Sequence, residues 1–241
     1  MVRAQELTEK YHGLYREELL RKLLQEFRGR IAIASSFGTE SWALLQIVAN
    51  IDPATIIIFT NTGKILKETL EYLEELASRL ELTNVRMIGP TDAAVEAVDK
   101  TGTLWKTDKD RCCDVRKAIP FEDALRRHGI EVYISGRRRE HGGVRTNMPI
   151  FENDGLGHVR VNLIADMTSA ELTREFVKSG LPPHPLIAKG LTSVGCDSCT
   201  VRSLDPSDSR GGRLELGKPG DGRKMHGECN MHGFEEKEAR E

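Results

Sequence analysis

The sequence predicts an α/β fold, a mostly parallel sheet with helices on both faces, and three observations carry that reading. Short runs rich in apolar or β-branched residues recur along the chain: Ile31-Ala32-Ile33-Ala34, Thr55-Ile56-Ile57-Ile58-Phe59, Val85-Arg86-Met87-Ile88 and Val132-Tyr133-Ile134-Ser135. Stretches with helical spacing lie between them, and strands joined through helices run parallel. The first two runs are almost wholly apolar, as strands covered on both faces are.

Taken in order, residues from about Leu7 to Phe27 show helical spacing, with Leu19, Leu20, Leu23, Leu24 and Phe27 on one side and Gly29 placed to end the helix. After the first strand, a polar loop from Ser35 to Glu40 leads into an amphipathic stretch through Trp42, Leu44, Leu45 and Val48. Asn61-Thr62-Gly63 leads from the second strand into a helix from about Ile65 to Leu80, and helical pattern returns from Asp114 to Arg127. Thr168-Ser169-Ala170-Glu171 has the form of a capping box, so a helix runs from there to about Lys178 and stops at Gly180. Residues 203–227 hold many Gly, Asp, Ser, Arg and Lys but few apolar groups, which predicts a flexible tail. The expected organisation is one domain over residues 1–202 and a mobile C-terminal tail over 203–241.

The 241 residues carry 35 basic and 37 acidic side chains, a formal charge of -2. Bulk attraction to nucleic acid or to an anionic membrane is therefore not expected, and any anion site must be local. The first residues, Met1-Val2-Arg3-Ala4-Gln5-Glu6, contain no apolar signal region, and no stretch approaches the ~20 apolar residues of a membrane span. A soluble, cytoplasmic protein is expected, and its oligomeric state is open, a homo-oligomer included.

Five cysteines narrow the chemistry: adjacent Cys112-Cys113, the pair Cys196-Asp197-Ser198-Cys199, and Cys229 within Glu228-Cys229-Asn230-Met231-His232. An odd count without an export signal favours metal binding or catalysis over a disulfide framework. Neighbouring Cα atoms are about 3.8 Å apart, and on a helix their side chains diverge by ~100°. Two bonds to one zinc ion are then awkward, whereas a cuboidal cluster offers a separate iron to each thiolate. The quartet Cys112, Cys113, Cys196 and Cys199 suits a [4Fe–4S] cluster better than zinc, with zinc and buried or redox thiols left open. Cys229, left over beside His232, reads as a nucleophile.

Anion-binding groups follow the strands. Ser36-Phe37-Gly38-Thr39-Glu40-Ser41 stands between a strand and a helix, where hydroxyls and helix N-terminal amides face a ligand. Arg137-Arg138-Arg139 and Arg145 follow the Val132 strand, and Arg210-Gly211-Gly212-Arg213 lies in the tail. Guanidiniums hold phosphate or sulfate with paired N–H bonds, although a capped helix start and solvated arginines would look the same in sequence.

Together, Ser35-Ser36-Phe37-Gly38-Thr39-Glu40-Ser41, Asn61-Thr62-Gly63-Lys64, Arg111-Cys112-Cys113, Ser135-Gly136-Arg137-Arg138-Arg139-Glu140, Val194-Gly195-Cys196-Asp197-Ser198-Cys199-Thr200, Arg210-Gly211-Gly212-Arg213 and Glu228-Cys229-Asn230-Met231-His232 resemble the motifs of assimilatory adenylyl-sulfate (APS) reductases of the iron–sulfur branch. The resemblance implies an adenine-nucleotide α-hydrolase-like fold with a modified pyrophosphate (PP) loop at Ser36–Ser41, and a [4Fe–4S] cluster on the four cysteines. It implies Lys117 between cluster and substrate, and a substrate site formed by Ser35, Ser36, Gly38, Ser41, Thr62, Gly63, Arg138, Arg139, Arg145, Arg210 and Arg213. Cys229 would take up the sulfonyl group of APS and release AMP, with His232 beside it, and a thioredoxin- or glutaredoxin-like thiol would free sulfite. The related phosphoadenylyl-sulfate (PAPS) reductases mostly lack the four cluster cysteines, so possession of all five favours APS.

The chain departs from the usual motifs in four places. Asn61 replaces an aspartate, Asn230-Met231 replace Gly-Leu, Arg137 replaces an apolar residue, and Glu140-His141 replace Asp-Gln. PAPS or dual specificity remains a competing reading. A tRNA-thiolating enzyme would need a stronger basic surface, and a non-catalytic zinc protein would leave the PP loop and the paired arginines unexplained.

Overall fold

The computed structural model describes residues 3–202. Strands β1 (Ile31–Ala34), β2 (Ile57–Thr60), β3 (Val85–Ile88), β4 (Val132–Ser135), β5 (Phe151–Asn153) and β6 (Val159–Asn162) form one sheet in the order β3-β2-β1-β4-β6-β5. All neighbours pair in parallel except β5, which lies antiparallel to β6 at one edge. The helices are α1 (Ala4–Lys10), α2 (Arg16–Glu26), α3 (Ser41–Ala49), α4 (Lys67–Arg79), α5 (Asp92–Val98), α6 (Leu104–Thr107), α7 (Lys109–Cys113), α8 (Ile119–Arg127) and α9 (Ser169–Ser179). Among the described residues no helix is long and apolar enough to cross a membrane.

Strand alternation divides the interior. Ile31, Ile33, Ile57, Phe59, Val132, Ile134, Val159 and Val161 face a large core shared with α2, α3, α4 and α9. Ala32, Ile58 and Tyr133 point the other way, onto Phe121, Ala124 and Leu125 of α8. The continuous apolar runs therefore reflect burial on both faces, each full burial of a large aliphatic contributing roughly 1.5–3 kcal/mol.

The structure corrects three expectations. The helical stretch from Leu7 to Phe27 is two helices broken by a turn in which Gly13 holds φ 81°. The helix expected from Asp114 starts earlier: Cys112 and Cys113 lie in α7, and Asp114–Ala118 form a π-helical turn, with Ile119 N–H bonded to Asp114 O, before α8 begins. Strands β5 and β6 add a second wing to the sheet that the strand pattern alone did not supply. The expected tail, with Arg210, Arg213, Cys229 and His232, lies outside the described residues.

Within the π turn Arg116 is buried and donates to Asp99 through Nη2 (2.8 Å) and Nε (3.1 Å), and to the Thr62 carbonyl (3.0 Å). Asp99, itself buried, also accepts from Leu104 N at 2.9 Å. One guanidinium thus joins the tandem-cysteine segment, the α5–α6 connection and the loop after β2. Removing one partner of a buried ion pair leaves the other charge uncompensated, which costs about 3–5 kcal/mol. Asp99→Asn is therefore expected to lower the urea midpoint by an equivalent amount at unchanged denaturant slope; a loss under ~1 kcal/mol would show that the pair does not hold this region together.

Candidate functional site

The strand order reverses between β1 and β4, since β2 and β3 lie on one side of β1 and β4 lies on the other. A crevice opens beyond the carboxyl ends of strands at such a point. Here it is a cavity lined by Ser35, Ser36, Gly38 and Ser41 after β1, Thr62 after β2, Lys117 of the π turn, Arg145 after β4, and all four cysteines Cys112, Cys113, Cys196 and Cys199. Eleven of the site residues expected from sequence thus share one cavity.

The loop after β1 is anchored from below. Phe37 adopts φ 46°, a left-handed conformation costly for a bulky side chain, while its ring is fully buried edge-on to Phe59 at 5.7 Å. Its amide donates to Ser35 Oγ at 3.2 Å, and Thr39 Oγ1 donates to Thr192 O at 2.7 Å. The loop therefore curls over the end of β1, and α3 starts from it with Ser41 on the cavity wall.

Three expected contacts fall elsewhere. Gly63 lines a separate groove with Met87 and Gly89. Arg138 is fully buried, bonded to Glu40, Glu140 and the Met167 carbonyl, and Arg139 Nε donates to Met148 O. The cavity receives Arg137 instead, ion-paired to Glu152 of β5. Glu152 also accepts from Arg160 and Asn162 of β6. Sequence shows three consecutive arginines; only the fold decides which one the cavity receives.

Glu40 closes the PP loop and meets the segment after β4. Its carboxylate accepts from Arg138 at 2.7 Å and lies 2.8 Å from His141 Nε2. Burial would raise its pKa, but bonds to His141 and Arg138 outweigh burial and hold it at about 2. Arg145 Nη1 lies 2.8 Å from His141 Nδ1. Glu40 and His141 line the cavity; sequence analysis placed both within motifs without a role. Arg116 went equally unassigned, the π turn that buries it having no sequence signature.

The cysteines come from two directions. Cys112 and Cys113 end α7, while Cys196 pairs with Ile65 through a β-bridge and Asp197 N donates to Lys64 O at 2.8 Å. Thr62 Oγ1 lies 3.1 Å from Cys196 Sγ. Burial pushes the Cys112 thiol up, Arg116 opposes the rise, and Asp99, Cys196 and Cys199 add to it. The last two effects place the distant pair within electrostatic reach of Cys112. Among the described residues no three His, Cys, Asp or Glu side chains gather closely enough to hold a single ion. Four thiols lining one cavity are the soft donors that zinc and iron–sulfur clusters take.

Residues 30–202 match the model of the phosphoadenosine phosphosulfate reductase domain. The chain is 35% identical over 214 residues to the adenosine 5'-phosphosulfate reductase of Chelativorans sp. (strain BNC1), covering 88% of this chain and 86% of the relative. It is 36% identical over 197 residues to that of Mesorhizobium japonicum, covering 81% and 76%. In fold it resembles the phosphoadenylyl-sulfate reductase of Candida auris, solved as a phosphate complex, with TM-score 0.68, 20% identity, and coverage of 82% of this chain and 96% of that one. The FMN adenylyltransferase of Candida glabrata, with FMN and an ATP analogue, follows at TM-score 0.56 and 16% identity, covering 83% and 73%. The family model covers most of the chain and these relatives match it at 35% and 36% identity, so the chain belongs to the phosphoadenosine phosphosulfate reductase family.

Proposed function

We propose that the chain reduces adenylyl sulfate to sulfite and AMP, using Cys229 as nucleophile and a thioredoxin- or glutaredoxin-like dithiol as reductant. The observation that carries this reading is the single cavity in which the PP loop, Lys117, Arg145 and the four cysteines converge. Relatives at 35% and 36% identity, named adenosine 5'-phosphosulfate reductases, support APS as the substrate.

In the proposed reaction the Cys229 thiolate attacks the sulfur of APS; the S–O bond to the phosphate breaks, AMP leaves, and the enzyme carries a cysteine S-sulfonate. A thiolate of the reductant then attacks Cys229 Sγ, sulfite departs with the S–S bonding pair, and the mixed disulfide is resolved by the reductant's second thiol. The reductant supplies both electrons. Ser35, Ser36, Gly38, Ser41 and Thr62 would hold the nucleotide's anionic linkage, while Lys117 and Arg145 offset its charge in a partly dry site. Arg210, Arg213 and His232 would approach from beyond the described residues to complete it, the arginines on the anion and His232 favouring the thiolate; Gly63, Arg138 and Arg139 would act through the walls they build.

Cys112, Cys113, Cys196 and Cys199 would hold a [4Fe–4S] cluster, which when bound supplies a fixed charge beside the substrate. Lys117 lines the same cavity as the four thiols, which supports its placement between cluster and substrate.

Cys229→Ser should keep nucleotide binding and a brown chromophore while sulfite release with APS and a thioredoxin stops; turnover at the wild-type rate would remove Cys229 from the chemistry. Parallel assays with APS and PAPS should show a preference for APS. Cys112→Ala or Cys196→Ala should bleach absorbance near ~400 nm, with loss of iron and acid-labile sulfide. Stoichiometric zinc without labile sulfide in the wild-type protein would overturn the cluster.

A further inference from the structure

His141 lies 2.8 Å from Glu40 through Nε2 and 2.8 Å from Arg145 through Nδ1, and the Arg138 amide also points at Nδ1, at 3.4 Å. A guanidinium only donates, so Nδ1 must accept. The proton of the ring is therefore on Nε2 and is donated to Glu40. One neutral tautomer satisfies all three neighbours, and a doubly protonated ring satisfies only Glu40. The groups facing the ring come from two segments: Glu40 from the loop before α3, and Arg138 and Arg145 from the loop after β4, with Glu140 set against Arg138.

We propose that His141 is a positioning residue: its neutral ring, anchored on Glu40, offers Nδ1 to Arg145 and so aims that guanidinium at the nucleotide's anion, and protonation of the ring releases it. This rests on reading the cavity as the APS site. Burial keeps the ring's pKa below the ordinary histidine value, Glu40 opposes that effect, and Arg145 and Arg138 reinforce it. The neutral ring is thus the form present at pH 7, and substrate affinity is complete above the ring's pKa and falls as pH drops through it. Glutamine in its place could accept from Arg145 and donate to Glu40 but does not titrate, so the pH dependence would belong to the histidine ring.

AMP binding measured by calorimetry from pH 8 to 5 on the full-length wild-type protein, His141→Gln and His141→Leu tests this, with the ring followed by nitrogen NMR in the same wild-type samples. The second ionisation of a phosphate monoester, near ~6, is common to all three proteins and cancels in ratios of Kd. His141→Gln should match the wild type within about twofold at pH 8, whereas His141→Leu should bind about tenfold more weakly at every pH, the loss expected for one charge-assisted hydrogen bond. As the ring titrates, the wild-type Kd should rise about tenfold relative to His141→Gln. A Kd ratio that stays constant while the ring titrates, a ring protonated on Nδ1 at pH 8, or a ring that remains neutral to pH 5 would each overturn the proposal. Wild-type protein that binds no AMP at any pH would instead overturn the proposed function, and the tautomer would still be read.

Discussion

The buried Arg116 guanidinium holds the two halves of the cysteine site in register. It reaches Asp99 on one side and the Thr62 carbonyl on the other, and Thr62 in turn lies against Cys196. The tandem-cysteine helix and the distant cysteine loop have no sequence proximity, so one residue of the π turn must fix their separation. A π turn suits this task because the extra residue per turn rotates the following side chains relative to an α-helix. Arg116 then points back at the loop after β2 while Cys112 and Lys117 line the cavity. The ion pair is a constraint on geometry more than a source of stability, since desolvation offsets much of the attraction between buried charges.

A second buried charge cluster performs the corresponding task at the nucleotide end. Glu40 ends the loop after β1, and Arg138, His141 and Arg145 belong to the segment after β4. These strands are neighbours, but their loops diverge at the switch point, and the cavity exists because they do. Glu40 draws the loops together around it, and the low pKa of its carboxyl follows from the donors that face it. Both clusters sit beyond the carboxyl ends of strands, where backbone pairing has stopped and side chains must hold the chain.

Much of this fold was legible because both faces of its central strands are apolar. The runs at Ile31, Ile57, Val85 and Val132 announce strands, and the Thr168 box and Gly180 mark the limits of α9. Strand β6 carries Arg160 and Asn162 in alternation with its valines, so it lacks the continuous apolar run of the central strands, yet both are buried. Arg160 Nε donates to Tyr133 Oη at 2.8 Å, and Asn162 bonds Ser135, Pro149 and Glu152. Such pairing across strands depends on register, which a single segment does not encode. The break at Gly13 was hidden for the opposite reason, since helical spacing continues on both sides of it.

The site was legible as a set of residue types and less so as an arrangement. The PP-loop residues reach the cavity because they follow β1, whose end the apolar run locates, whereas the four cysteines reach it from α7 and from a distant loop that the pattern did not mark. Arginines are different, since their chemistry depends on what neutralises them. Arg138 faces two carboxylates, Glu40 and Glu140, and its charge serves the scaffold. Arg137 and Arg160 both donate to Glu152, so Arg137 is held by the wing of the sheet that sequence did not reveal. Arg145 meets the His141 ring on the cavity wall, an acceptor that orients a guanidinium. In a chain whose formal charge is -2, a local anion site can arise only from such differences in pairing, and these are set by the fold.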